Sequence, residues 1–249
     1  MKKLLVLYVF HIYNHRVKHF IDKCIFKDDN VDFVIISNGK PMTSFPVPNI
    51  KNVYRLFRDN IGYDFGGWSE ALLTNNIYKK YDNFIFVNSS AIGPFIPAHI
   101  KCKWTDIYIN GLKDNVKLFG STINAMNPNP LTLAHVQSYI FAMDKLTLEY
   151  LISCEIFSIT NYAKTLVDAV CNKEVEMSRK IIANKWNIGS LLPLYANVDF
   201  TFSNKSPADY NITFLNDIMF ANYRNSLWSD FQLVFIKGNR GNEINITNG

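Results

Sequence analysis

The run Arg58-Asp59-Asn60-Ile61-Gly62-Tyr63-Asp64-Phe65-Gly66-Gly67-Trp68 gathers, at close spacing, residue types suited to a phosphorylated ligand. Asn60 and Gly62 suit a tight turn at a strand end, where a positive φ is required. Gly66 and Gly67 leave the backbone uncovered, so a phosphate or a base can approach it. They also open a helix whose free N–H groups attract anions. Asp64 then stands as a carboxylate in a cleft, able to bond a ribose or sugar hydroxyl. The same residues also read as a glycine turn capped by Asp64, with Trp68 in the core.

Four further segments carry polar groups. The strand-like run Tyr81–Val87 delivers Asn88, Ser89 and Ser90 to its carboxyl end, with Gly93-Pro94-Phe95 beyond. A carboxylate pair at that place would hold Mn²⁺ or Mg²⁺ against a diphosphate; Asn88 and Ser90 offer neutral oxygens, which ligate such a cation weakly. His135-Val136-Gln137-Ser138 precedes an apolar stretch and reads either as a lining for a second substrate or as a helix cap. Glu174 and Ser178 lie one helical turn apart, while Glu176 points elsewhere. A carboxylate at a helix start can take a proton from a hydroxyl, and it can equally be solvated surface. Lys237-Gly238-Asn239-Arg240 sets two cations around a glycine, suited to a diphosphate or to a basic turn. His11, His15 and His19 have helical spacing but no acid or cysteine near them in sequence, so they are read as strand-end and helix-surface residues.

Alternating elements must position these groups. Leu4–Phe10, Val31–Ser37, Val53–Phe57, Asn83–Asn88 and Val116–Gly120 read as strands, with Asn38 and Arg58 closing two of them. His15–Phe26, Gly66–Asn75 and Glu174–Ala183 read as helices, Tyr139–Leu151 as an amphipathic segment, and Phe231–Ile236 as a late strand. This alternation predicts an α/β fold with a central, mostly parallel sheet flanked by helices, its ligand beyond the carboxyl ends of the strands. One domain is expected over residues 1–241, with a polar tail at 242–249.

Composition narrows the classes. Of the 249 residues 48% are hydrophobic and 19% charged, which allows one sizeable core. The net charge of +5 is spread without basic runs, so a nucleic-acid partner is not expected. Met1–Phe10 is too short to span a membrane, and no other segment approaches a span. Cys24, Cys102, Cys154 and Cys171 match no zinc or CxxC spacing and suggest reduced, buried thiols in a cytoplasmic protein.

Taken in order, Asn60–Trp68, Phe86–Ser90 with Gly93–Phe95, Gly120–Asn124, His135–Ser138 and Phe235–Lys237 with Asn239-Arg240 resemble proteins of the rhamnan-synthesis F type, over about residues 4 to 241. The resemblance implies a GT-A-like (Rossmann-like) glycosyltransferase that moves a sugar, rhamnose or another hexose, from a nucleoside diphosphate to a glycan acceptor. It implies a donor site of Asn38, Arg58, Asn60, Asp64, Gly66, Gly67, Asn88, Ser89, Ser90, Lys237, Asn239 and Arg240, with His135 and Gln137 toward the acceptor. More distantly, Glu174 is similar to the base of inverting enzymes, with Glu176 as the second choice. The chain lacks the usual Asp-x-Asp pair, so a divalent cation is expected only together with the nucleotide. The neutral Asn88-Ser89-Ser90 also fits a non-catalytic sugar- or nucleotide-binding module.

Overall fold

The computed structural model describes residues 2–39, 45–126 and 129–242. The first half runs β1 (Leu4–Phe10), α1 (His15–Lys23), β2 (Val31–Asn38), β3 (Val53–Arg58), α2 (Tyr63–Leu73), β4 (Asn83–Asn88), β5 (Ala91–Ile92), α3 (Trp104–Asn110) and β6 (Val116–Gly120). The second half runs β7 (Ile123–Asn124), α4 (Pro130–Leu133), β8 (His135–Val136), β9 (Ile140–Asp144), α5 (Lys145–Ser153), α6 (Leu166–Ala169), α7 (Glu176–Ala183), β10 (Asn187–Ser190), α8 (Asp230–Leu233) and β11 (Ile236–Lys237). Among the described residues the main sheet has seven strands in the order β10-β6-β9-β4-β1-β2-β3. Every strand but β9 runs the same way, as the pairings of β1 with β2 and β4, β2 with β3, and β10 with β6 require. The sheet is therefore mostly parallel, and the four expected strands β4, β1, β2 and β3 are neighbours.

Burial explains why these runs are strands. Every residue of β1 and β4 is buried, as expected of strands covered on both faces. On β3, at the sheet edge, Tyr54 and Phe57 are exposed. Helix α2 lies close on the sheet because of its glycines. A Cβ on Gly67 would stand 2.9 Å from Val9 Cγ2, and one on Gly66 only 2.0 Å from the Ile61 carbonyl oxygen. Both faces thus meet protein, and the expectation that these glycines open the backbone to a ligand is corrected. Gly66→Ala gains helix propensity but drives its methyl into a backbone oxygen that cannot rotate away. It is expected to destabilise the fold by about 1–3 kcal/mol in urea denaturation.

Three sequence expectations need revision. Tyr139–Leu151 is not one amphipathic helix: Ile140–Met143 is buried on both faces and runs antiparallel between β4 and β6. The helix begins only after Asp144, whose carboxylate accepts from Thr147 N at 2.8 Å. Such short apolar runs are ambiguous by periodicity alone. Of the late strand expected over Phe231–Ile236 only Ile236 is in a strand, while Phe231–Leu233 ends a short helix that Ser229 and Gln232 open with a capping box. Of the cysteines only Cys24 is buried; Cys102 and Cys171 are exposed, and all four are free thiols.

The assigned tail begins inside the packed chain: Asn242 is buried, and its amide donates to the Met219 and Lys237 carbonyls. Residues 243–249 and Pro41 of the Pro-rich loop lie outside the described residues. Among the described residues no helix is long and apolar enough to cross a membrane.

Candidate functional site

A parallel sheet brings the carboxyl ends of its strands to one edge. Here that edge carries His11 after β1, Asn38 at the end of β2, Arg58 at the end of β3 and Asn88 at the end of β4. The antiparallel β9 enters the sheet from the same edge, which brings Gln137 and Ser138 beside Asn88.

Asn38, Arg58 and Asn60 are used mostly on each other. Arg58 donates from Nη1 to Asn38 Oδ1, from Nη2 to the Ile61 carbonyl (2.8 Å) and from Nε to Glu70 (2.7 Å). Asn38 Nδ2 donates to Asn60 Oδ1 and to the Tyr63 carbonyl, each at 2.8 Å. This lattice holds a turn whose backbone is costly. Gly62 has φ +77°, and Tyr63 follows at +56°, where a side chain is disfavoured. Asn60, expected to need a positive φ, does not take one. On its outer side the turn borders a separate cleft of about 540 Å³, lined by Asn60, Ile61, Tyr162 and Lys164.

The turn places Asp64 in the first turn of α2, where Gly62, not Asp64, is the cap. The Asp64 carboxylate accepts instead from Asn88 Nδ2 at 3.0 Å. Asn88 Oδ1 accepts from Ser90 N at 2.9 Å, so the amide turns its NH₂, not its oxygen, toward the carboxylate. Burial pushes the Asp64 carboxyl up to about 6; the Asn88 hydrogen bond opposes this, the charge of Glu174 adds to it, and Lys237 and His11 oppose it. Asp64, Asn88, Glu174, Lys237 and His11 therefore share one electrostatic neighbourhood, although they come from distant parts of the chain. Ser89 is held from α1, where Arg16 Nε donates to its carbonyl at 2.9 Å. Ser90 is tied to the basic turn, its carbonyl accepting from Gly238 N at 2.8 Å.

Next to this neighbourhood lies a cleft of about 470 Å³. It brings together six sequence candidates: His135, Gln137, Glu174, Glu176, Lys237 and Arg240. Asn239 is exposed, on the turn between the last two. His135 and Gln137 are buried; His135 lies on the short strand β8, not at a helix start. His135 Nδ1 donates to the Leu133 carbonyl at 2.7 Å, and Gln137 Oε1 accepts from Thr122 at 2.8 Å.

Glu174 is not at a helix start. It sits in a π-helical turn, Val170–Val175, that joins α6 to α7, the kind of helix irregularity found often at functional sites. Its Oε1 accepts from Ser138 N at 2.7 Å, which holds the carboxylate at the mouth of β9. Glu176 instead pairs with Lys180 at 3.1 Å on the helix surface.

Sequence reasoning missed four groups of this edge: His11, Arg16, Arg179 and Asp217. Position just beyond a buried strand was the signal for His11. Arg16 and Asp217 act through contacts with residues far away in sequence, and Arg179 lines the cleft from α7. Asp217 accepts from Arg240 (3.0 Å) and Gln137 (3.3 Å) and so joins the basic turn to the β8–β9 segment.

The residues present do not form a metal cage by themselves. At the end of β4 Asp64 meets the Asn88 NH₂, and the amide oxygen is already bonded to Ser90 N. Among the described residues no group of three or more His, Cys, Asp or Glu could hold a metal ion.

A family model described as rhamnan synthesis protein F matches residues 33–216. Virulence protein VirA of Vibrio anguillarum is 32% identical over 97 residues, 37% of this chain and 27% of that protein, so the match spans little more than a quarter of the curated relatives' length. A solved structure titled as a glycosyltransferase involved in the glycosylation of the major capsid of PBCV-1 is 11% identical, with a TM-score of 0.35, covering 64% of this chain and 68% of that one.

Proposed function

The chain belongs to the rhamnan synthesis protein F family, and from that premise we propose that it is an inverting glycosyltransferase with a nucleoside-diphosphate sugar as donor and a glycan hydroxyl as acceptor. The observation that carries this reading is the chain of hydrogen bonds that ties Asp64 to Asn88, Asn88 to the Ser138 carbonyl, and the Ser138 N–H to Glu174 at the carboxyl edge. One carboxylate comes from the first half of the chain and the other from the second. That arrangement suits a donor held by one half and an acceptor presented by the other.

In this reading Asp64 bonds a donor hydroxyl, with Asn88, Ser89 and Ser90 around it. Lys237, Asn239 and Arg240 face the diphosphate. Asn38, Arg58 and Asn60 act by fixing the turn that aims Asp64. His135 and Gln137 line the acceptor cleft. Glu174 takes the proton as the acceptor oxygen attacks the anomeric carbon; the new C–O bond forms as the bond to the diphosphate breaks, and the nucleoside diphosphate leaves with that electron pair. A divalent cation would neutralise part of the departing charge, but its oxygens would have to come mainly from the phosphates.

A thermal-shift screen of UDP-, dTDP- and GDP-sugars tests the reading. Ligands that bind the native state must raise its melting temperature. One nucleotide class is expected to do so, with Mn²⁺ adding stability only in its presence. Tight Mn²⁺ binding by the free protein would contradict the cation's dependence on phosphate, and no response to any nucleotide would remove the donor. The bonded amide of Asn88 favours a second reading, a binding module that has lost transfer. Nucleotide binding without acceptor-dependent release of the nucleoside diphosphate would select it.

A further inference from the structure

The cleft beside Glu174 holds more positive charge than the transfer step uses. Arg179, on α7, lines it together with Lys237 and Arg240. The acids of the cleft already have partners. Asp217 accepts from Arg240 and Gln137, Glu176 pairs with Lys180, and Glu174 accepts from Ser138 N. Glu176 is the acid whose field reaches Arg179, yet its ion pair is made with Lys180.

Arg179 makes no ion pair or side-chain hydrogen bond among the described residues, and its Nη1 is buried without an acceptor. Arg240 Nε is buried in the same unsatisfied state. A desolvated guanidinium with an unused N–H is costly, and an oxyanion at its edge removes that cost through two parallel, charge-assisted hydrogen bonds. The charge of Arg179 is set apart from those that act on the donor carboxylate. The charges that act most on Asp64 are those of Glu174, Lys237 and His11, not that of Arg179. Thr132, Leu133, Val170 and Cys171 line the cleft as well.

We propose that the acceptor taken by this cleft is an anionic glycan, whose phosphate or carboxylate group is bound by the Arg179 guanidinium beside the attacking hydroxyl. This rests on the reading of Glu174 as the base and of its cleft as the acceptor site. Lysine at this position keeps the charge but loses the planar fork.

The test is calorimetric titration of the full chain with three trisaccharides: one phosphorylated, one carrying a uronate and one neutral. Wild type is expected to bind at least one acidic trisaccharide about 10-fold or more tighter than the neutral one, and which acid is preferred tells phosphate from carboxylate. Arg179→Gln should abolish that preference, and Arg179→Lys should keep only part of it. Equal binding of acidic and neutral sugars by wild type overturns the proposal. So does an unchanged preference in Arg179→Gln, or a preference lost in Lys237→Gln but kept in Arg179→Gln. If Arg179→Gln does not fold, Arg179→Lys decides: wild-type preference in it overturns the proposal. Nucleotide titration of the same samples separates the two readings. Binding of acidic sugar without any nucleotide would end the transferase reading and leave the anion site standing. Nucleotide binding without discrimination among sugars would do the reverse.

Discussion

Glu174→Gln is expected to keep nucleotide binding and to lower acceptor-dependent sugar transfer by about 10²–10⁴-fold, the usual size of general-base catalysis. The substitution preserves shape and leaves an amide oxygen to accept from Ser138 N, the bond that now positions the carboxylate at 2.7 Å. What it removes is the ability to take a proton. Glu176→Gln serves as the comparison. Its carboxylate is bound to Lys180 on the helix surface, and losing so exposed a pair changes stability by about 1 kcal/mol or less. Steady-state release of nucleoside diphosphate, with and without acceptor, measures both. Normal transfer by Glu174→Gln, with loss in Glu176→Gln, would move the base two residues along the helix. Normal transfer by both would sink the assignment of a carboxylate base to this turn.

Asp64→Asn is expected to do two opposite things, abolishing nucleotide binding and stabilising the free protein above about pH 6. The first follows if Asp64 bonds the donor, since an amide of the same shape presents an N–H where a carboxylate oxygen stood. The second follows from burial, which pushes this carboxyl up to about 6. A carboxyl raised in the native state holds more protons folded than unfolded. Its stability is fully present below the ordinary carboxylate range and is lost as pH rises through about 6. Urea denaturation should therefore find wild type and variant alike near pH 4, and the variant ahead by about 1–3 kcal/mol near pH 8. Isothermal titration with the responding nucleotide supplies the other half. A variant that gains stability and still binds nucleotide would make Asp64 a structural group only.

That a protein keeps a desolvated carboxylate beside a second one is itself informative. A buried acid whose cost a second carboxylate raises persists where the site has a use for its charge. The same holds for Tyr63, kept in a left-handed conformation at +56° by the hydrogen bond from Asn38 to its carbonyl. Strain and charge are concentrated at one edge of the sheet, where the turn of α2 meets the end of β4.

Much of this was legible in the chain itself. The apolar runs Leu4–Phe10, Phe33–Ile36 and Phe84–Val87 identified strands buried on both faces, because a strand covered by helices on either side shows no alternation of apolar and polar residues. Their polar ends, Asn38, Asn88 and the turn before Asp64, pointed to the ligand edge, because a parallel sheet puts all carboxyl ends together. Three things only the tertiary structure decided. The segment Ile140–Met143 became a strand and not a helix because a place between β4 and β6 was open to it, and periodicity over so few residues does not distinguish the two. Gly66 and Gly67 proved to serve packing, since what a missing side chain makes room for depends on which surface lies opposite. And Glu174 met Asp64 across 110 residues of chain through a π-helical turn and the bond from Ser138, neither of which leaves a local pattern, because both are fixed by contacts between segments that the sequence keeps apart.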